Sequence, residues 1–400
     1  MRGGDSKTVY NAEVRKLDSW PLTLTDEAAF QHEQTRLSRV WTLLGHISDL
    51  ARDGDWFRTT LGTRSLFVQR FGDELRGFEN RCAHRSFPLR TADKGNGPIL
   101  CGFHHWRYDG TGRAVAIPEC RQLFGMTPEE MGVRLNPVQV ATCGGLVFGR
   151  FQSPGDDQTL EDYLGDAFPI FAAMFLPKRP RFLTGSVKAN WRLCFQIAVE
   201  DYHVVAVHKG VFGKAGYLKR ENIGYFRWGL HSAFFTTPEA EALAKMAAEC
   251  RTGTWRSENY RVFHIFPNLT VSHYRADGQH WYVMAMQYVP VATDRTLMRA
   301  WYCHAPFPPR RPHPWYEPLV RPFVDPVRSV VVRHYASKVL SQDTGVCERL
   351  QTIAPQISPA PIFGGLEQRI GWLDDSYRAV VRGADGREAG AADRSRPAAE

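Results

Sequence analysis

Cys82-Ala83-His84-Arg85 and Cys101-Gly102-Phe103-His104-His105-Trp106-Arg107-Tyr108-Asp109-Gly110-Thr111-Gly112 are the two stretches whose reading decides the fold; 16 residues separate His84 from Cys101. Each offers one soft thiolate and one imidazole, a donor mixture that suits zinc or an iron–sulfur cluster. A zinc finger groups its cysteines in one short loop and its histidines in another. Here the supply alternates, Cys-His then Cys-His. That order fits a two-iron centre in which one iron takes two thiolates and the other takes two imidazoles. Replacing thiolates by neutral imidazoles raises the reduction potential, as suits a centre that receives electrons and passes them on.

The texture around these motifs is β-rich. SLFVQRFGDELRGFEN (65–80) reads as a hairpin turning at Gly72-Asp73, and GGLVFGRF (144–151) as a further strand. The chain divides on composition into an N-terminal helical segment (1–40), a β domain (41–153), a second domain (154–382) and a disordered Ala/Gly/charge-rich tail (383–400). Within the second domain, FLTGSVKANWRL (182–193) alternates like a strand and IAVEDYHVVAVH (197–208) reads as a helix. HWYVMAMQYVPV and TLMRAWYCHAPF are antiparallel strands, and 326–353 has helical periodicity.

A carrier of electrons needs only the first motif, so the second domain requires its own explanation. It contains Asn190-Trp191 and then Glu200-Asp201-Tyr202-His203-Val204-Val205-Ala206-Val207-His208. Two histidines five apart sit awkwardly on a regular helix; one turn with a bulge brings both imidazoles to one side. By themselves they read equally as a core or surface pair. Two His and one carboxylate with open positions form the facial triad of non-haem Fe(II) sites.

The first motif resembles the C-x-H-R…C-x-x-H-x-W-x-Y-D-x-x-G of Rieske oxygenases. N-W-x(8)-E-D-Y-H-V-x-x-V-H resembles the catalytic segment of their alpha (oxygenase) subunits, the Rieske non-haem iron aromatic-ring-hydroxylating oxygenases. Its spacing is closest to the benzoate, toluate and anthranilate dioxygenase type. Asp343 matches the acidic ligand near D-x(4)-E-x-x-Q. Three departures stand out: Ser86 and His105 replace the usual glycines, so the loops are expected to differ in detail; Gln196-Ile197 replaces Glu-Asn; and Glu200 replaces the Asp of most ring hydroxylases, as in the subset acting on quaternary ammonium compounds.

The resemblance implies an α+β fold: an all-β Rieske [2Fe-2S] domain plus a helix-grip (START/Bet v1-like) catalytic domain with a curved antiparallel sheet. It implies that Cys82, His84, Cys101 and His104 bind the cluster and that His203, His208 and Asp343 bind a mononuclear Fe(II). Glu200, or the adjacent Asp201, bridges the two centres across a subunit boundary in a head-to-tail homotrimer, with or without a small beta subunit. The implied activity is O2-dependent hydroxylation of an aromatic substrate. Alternatives are oxidation of a quaternary ammonium compound, N- or O-demethylation, or an electron carrier whose second domain has lost its iron. The sequence has no G-x-G-x-x-G fingerprint and no further ferredoxin cysteines, so a separate reductase, with or without a ferredoxin, is the expected source of NAD(P)H electrons.

Composition agrees. Eight cysteines in 400 residues fit a reducing cytoplasm rather than a disulfide scaffold, and the six outside the motif read as core thiols. No long apolar run suggests a membrane span and the first 20 residues do not resemble a secretory signal. A net charge of +8 is spread along the chain without the dense basic tract that nucleic-acid binding favours; it suits a solvated surface or a docking face for an acidic electron-transfer protein. Ile197, Val204 and Val205 are candidate pocket residues, and Arg192 or Arg275 candidate carboxylate clamps.

Overall fold

The computed structural model describes residues 15–16, 22–175, 179–208, 222–277, 280–308, 316–356 and 361–382. The expected tail at 383–400 lies outside the described residues, as do 1–14 and 17–21 of the expected N-terminal segment. Two compact units emerge: Gln34–Tyr163 with Phe175–Arg179, and the remainder.

The strands of the first unit all pair antiparallel, with short helices at Cys120–Phe124 and Pro128–Met131. Its strands are β1 (Thr42–His46), β2 (Asp55–Leu61), β3 (Arg64–Phe71), β4 (Glu74–Glu79), β5 (Lys94–Asn96), β6 (Ile99–Leu100), β7 (Arg107–Tyr108), β8 (Ala114–Ala116), β9 (Pro137–Cys143) and β10 (Leu146–Arg150). Seven of them form a sheet in the order β1-β10-β9-β4-β3-β2-β5, and β6-β7-β8 form a small sheet of three. The β3–β4 hairpin turns at Gly72-Asp73 as expected, with Phe71 opposite Glu74 and Gly72 at φ 58°. One core of Leu44, Phe57, Leu66, Val68 and Val147 fills the large sheet. A second core takes in Phe67, Phe78, Trp106 and both motif cysteines. The small sheet and its loops are thereby anchored by burial of the two motif sulfurs themselves.

The second unit is a seven-stranded antiparallel sheet that curls into a half-barrel. Its strands are β11 (Arg181–Val187), β12 (Gly224–Trp228), β13 (His231–Phe235), β14 (Arg261–Ile265), β15 (Leu269–Asp277), β16 (His280–Ala292) and β17 (Arg295–His304), in the order β11-β17-β16-β15-β14-β13-β12. The helices used below are α1 (Glu27–Leu37), α2 (Trp191–Ala198), α3 (Val204–Val207), α4 (Glu317–Ile353) and α5 (Gln368–Tyr377). The 37-residue α4 starts ahead of the expected 326, with a proline in its first turn, where a missing N–H costs nothing. Helix α2 packs on α4 and on β16 and β17.

Two local expectations are corrected. The alternating stretch 182–193 is strand only to Val187; Asn190 then caps a helix, its side chain accepting from the Arg192 N–H. The stretch 197–208 is not one helix. Helix α2 stops at Ala198, and residues 199–203 leave the helical path before α3 makes a single turn.

Asn190 is the joint of this arrangement. It is wholly buried, and its amide donates to the carbonyls of Thr23 (2.9 Å) and Thr293 (2.8 Å). From α4, Gln351 Oε1 accepts the Asn190 backbone N–H at 2.9 Å and Glu348 Oε1 accepts that of Lys188 at 3.1 Å. The neighbouring Trp191 donates its indole N–H to Glu33 of α1 at 2.6 Å. Asn190→Ala removes a helix cap and strands two carbonyls, so it should lower the stability of this unit by about 3 kcal/mol. Calorimetry should show the loss in the melting transition of the second unit.

Candidate metal centres

The two Cys-His loops are built alike. The Cys82 carbonyl accepts from Ser86 N–H (2.9 Å) and its N–H donates to the Phe87 carbonyl (2.8 Å). The Cys101 carbonyl accepts from His105 N–H (3.0 Å) and its N–H donates to the Trp106 carbonyl (2.9 Å). Both loops therefore close four residues after the cysteine, at Ser86 and His105, each with φ 58°. These are the two positions expected to change the loop detail for want of glycine. Instead, non-glycine residues take the left-handed conformation, at about 1 kcal/mol each. The histidine stands two residues after Cys82 but three after Cys101.

Cys82 and Cys101 are almost wholly buried. The His84 and His104 rings lie 4.8 Å apart, and His84 stacks on Trp106 at 4.7 Å. Nδ1 of both histidines is buried without a hydrogen-bond partner. Two imidazole nitrogens left unsatisfied beside two buried thiols fit a bound group that takes all four as ligands. Tyr108 tightens the site: its hydroxyl lies 3.0 Å from Cys82 Sγ and accepts the Ala83 N–H at 3.1 Å. Asn80 braces the first loop by pairing with both backbone groups of Arg90, at 2.7 and 2.8 Å. Asp109 holds the turn after β7, accepting from Thr111 and Arg113 N–H. Gly112 completes that turn at φ 81°, where a Cβ would meet the Phe78 ring at 2.6 Å.

In the second unit the structure brings His203, His208 and Asp343 together, with one donor atom from each within 4.8 Å of the others. His208 Nε2 is 3.0 Å and His203 Nε2 3.6 Å from Asp343 Oδ1. The five-residue spacing works because the histidines bracket α3 rather than ride on it. His203 precedes the turn, its carbonyl accepting from Val207 N–H, and His208 follows it. Each imidazole is oriented from behind: His203 Nδ1 contacts Glu200 Oε1 and His208 Nδ1 is 2.9 Å from Gln342 Oε1. An acceptor at Nδ1 selects the tautomer whose Nε2 lone pair is free for a metal. Burial alone lowers the His208 pKa, but Asp343 and Gln342 outweigh it and raise the pKa. The gap between the donors thus attracts positive charge. Asp343 Oδ1 is buried and faces Nε2 of both histidines, a donor set that fits a divalent cation.

Glu200 and Asp201 differ in their engagement. Glu200 Oε2 also accepts the backbone N–H of Tyr202 (2.5 Å) and His203 (3.2 Å). Asp201 is held by Arg369 of α5 and by the Tyr225 hydroxyl at 3.1 Å. Of the candidate clamps, Arg192 is buried between Glu33 and Asp374 and stacks 3.6 Å over Tyr377. It is a core residue and no substrate clamp; Arg275 is exposed. Val205 is exposed, whereas Ile197 and Val204 are half-buried. Residue types gave Gln342 and Asn80 no role and used Glu348 and Gln351 only as the flank of Asp343; the hydrogen-bond partners of all four become visible only in the fold. A hydrogen bond to a cluster sulfur stabilises the reduced, more negative state. Tyr108→Phe should keep the visible cluster spectrum and lower the midpoint potential by roughly 50–100 mV, the one-electron equivalent of a bond worth about 1–2 kcal/mol. Potentiometric titration checks it.

Comparison with known proteins joins these sites to a family. Residues 40–134 match the Rieske [2Fe-2S] domain and residues 162–383 the ring hydroxylating alpha subunit (catalytic domain). The large oxygenase component of the naphthalene 1,2-dioxygenase system of a Ralstonia sp. is 32% identical over 193 residues, 46% of this chain and 43% of that protein. Biphenyl 2,3-dioxygenase subunit alpha of Rhodococcus jostii (strain RHA1) is 35% identical over 169 residues, 41% of this chain and 35% of that protein. The chain spans less than half the length of these curated relatives. Naphthalene 1,2-dioxygenase from Rhodococcus sp. shares the fold at a TM-score of 0.66 and 18% identity, covering 91% of this chain and 94% of that one. A quaternary ammonium Rieske monooxygenase does so at 0.67 and 16%, covering 90% and 94%. With both domain models matched in order, the cofactors implied are a Rieske [2Fe-2S] cluster and a mononuclear iron, and the chain belongs to the ring-hydroxylating oxygenase alpha-subunit family.

Proposed function

We propose that the chain is the oxygenase component of a multicomponent Rieske system that hydroxylates an aromatic ring. The observation that carries this reading is the convergence of His203, His208 and Asp343 in a chain that also holds the paired Cys-His loops. When bound by these residues, Fe(II) supplies O2 activation and the cluster, held by Cys82, His84, Cys101 and His104, supplies electrons. The rest is the work of the chain. Glu200 and Gln342 fix the tautomers of His203 and His208 from behind. Asp343 contributes the one negative charge of the triad, and its Oδ1 faces Nε2 of both histidines. Half-buried Ile197 and Val204 offer an apolar approach for a ring. The matched relatives named for naphthalene and biphenyl support an aromatic substrate.

Glu200 is also the residue we assign to bridging. Its carboxylate is already oriented on His203 and is the natural acceptor for His84 or His104 of a neighbouring copy. Asp201 is turned instead to Arg369 and Tyr225, through its Oδ2. This geometry supports a head-to-tail homotrimer, with or without a small beta subunit. Electrons come from a separate reductase, with or without a ferredoxin. Exposed Arg85, Arg107, Arg113 and Arg121 suit an acidic donor. A cytoplasmic location fits the low cysteine content; no helix among the described residues is long and apolar enough to cross a membrane. A second reading, oxidation of a quaternary ammonium compound or demethylation, is favoured by the Glu at position 200.

Metal analysis of the purified chain together with an O2-uptake screen over aromatic substrates tests the main reading. We expect roughly three irons per chain, and ring-hydroxylated product without formaldehyde. Formaldehyde with no ring product supports the second reading; two irons per chain support an electron carrier. His203→Ala should abolish turnover and remove only the mononuclear iron, leaving the cluster spectrum unchanged. Loss of the cluster colour contradicts its assignment. Glu200→Gln should slow single-turnover transfer between centres by roughly 10–100-fold while both metals stay bound. A wild-type rate rules out bridging by this residue.

A further inference from the structure

One pair of nucleophilic side chains belongs to neither metal site. Cys194 lies in α2, which leads to Glu200 and His203, and Cys347 lies in α4, one helical turn beyond Asp343. The two are only 2% and 1% exposed. Cys347 Sγ lies 3.6 Å from the carbonyl of Leu193, the residue preceding Cys194, which sets the two thiols beside each other across the helix contact. Both are reduced. The pair sits on the contact between α2 and α4, so a bond between the sulfurs joins the segment carrying the histidines to the helix carrying the carboxylate.

We propose that Cys194 and Cys347 are a modification site: a hydroperoxide converts them to a disulfide that staples α2 to α4. One sulfur attacks hydrogen peroxide, the O–O bond breaks, and the thiol becomes a sulfenic acid with release of water. The second sulfur then attacks the first, the S–O bond breaks, and a second water leaves. Two thiols are oxidised by two electrons and one peroxide is reduced to two waters. Burial selects the oxidant, because hydrogen peroxide is scarcely larger than water whereas a glutathione disulfide cannot reach either sulfur. The proposal stands whether or not the chain is an oxygenase.

The full-length chain with its metals is treated with hydrogen peroxide under anaerobic conditions, quenched, unfolded, alkylated and digested without reductant. The expected result is a cross-linked peptide pair containing Cys194 and Cys347, a roughly tenfold loss of alkylation at both, and its recovery with dithiothreitol. The cross-link should vanish in Cys194→Ser and Cys347→Ser and persist in Cys250→Ser. The decisive measurement is on the wild-type chain, so poor folding of a variant does not weaken it. Undiminished alkylation of both residues overturns the proposal. So does sulfinic acid on either residue without a cross-link, or a cross-link to another cysteine.

Discussion

The backbone hydrogen bonds that Glu348 and Gln351 accept from Lys188 and Asn190 are the constraint on which the second unit depends. His208 and Gln342 are 134 residues apart in the chain, and a metal site tolerates little error between ligands drawn from such distant segments. The long α4 is free to slide or roll over a sheet unless something fixes it along its axis. Two side chains, at positions five and eight after Asp343, seize the backbone where α2 begins. Asp343 is thereby set against His203 and His208. Asn190 extends the joint by tying the same point to Thr23 and Thr293.

The first unit solves a similar problem by different means. Its four donors come from two tight loops, and each loop closes on a left-handed residue four places after the cysteine. The buried sulfurs are part of the core, so apolar packing positions the ligands as well as the fold. The Tyr108 hydroxyl and the stacked Trp106 occupy the faces around them. The penalty for Ser86 and His105 at positive φ is tolerated because backbone hydrogen bonds on both sides over-determine the turn.

Much of this organisation was legible from residue types. The β3–β4 hairpin, the β16 and β17 strands and the helical periodicity of 326–353 are local patterns, and local patterns survive into the fold. The stretch 197–208 was not legible in the same way. Its apolar spacing is compatible with one helix, and the break at residues 199–203 comes from tertiary contacts: Asp201 is drawn to Arg369 and Tyr225, and its N–H lies 3.4 Å from the Leu366 carbonyl. That break turns a five-residue spacing, poor on a regular helix, into two imidazoles flanking one turn. Arg192 was misjudged for the same reason, since nothing in its own neighbourhood of sequence announces Glu33, Asp374 and Tyr377.

Sequence alone determined which atoms are available. Two thiolates, four imidazoles and a carboxylate in recognisable spacing specify the donor chemistry, because the affinity of a ligand for a metal is a property of the residue itself. The tertiary structure alone set which nitrogens of His203 and His208 face Asp343 and put Glu200 and Gln342 behind them. It also decided how α4 is set against α2. These depend on hydrogen bonds between residues far apart in the chain, whose partners acquire meaning only once the backbone has brought them together.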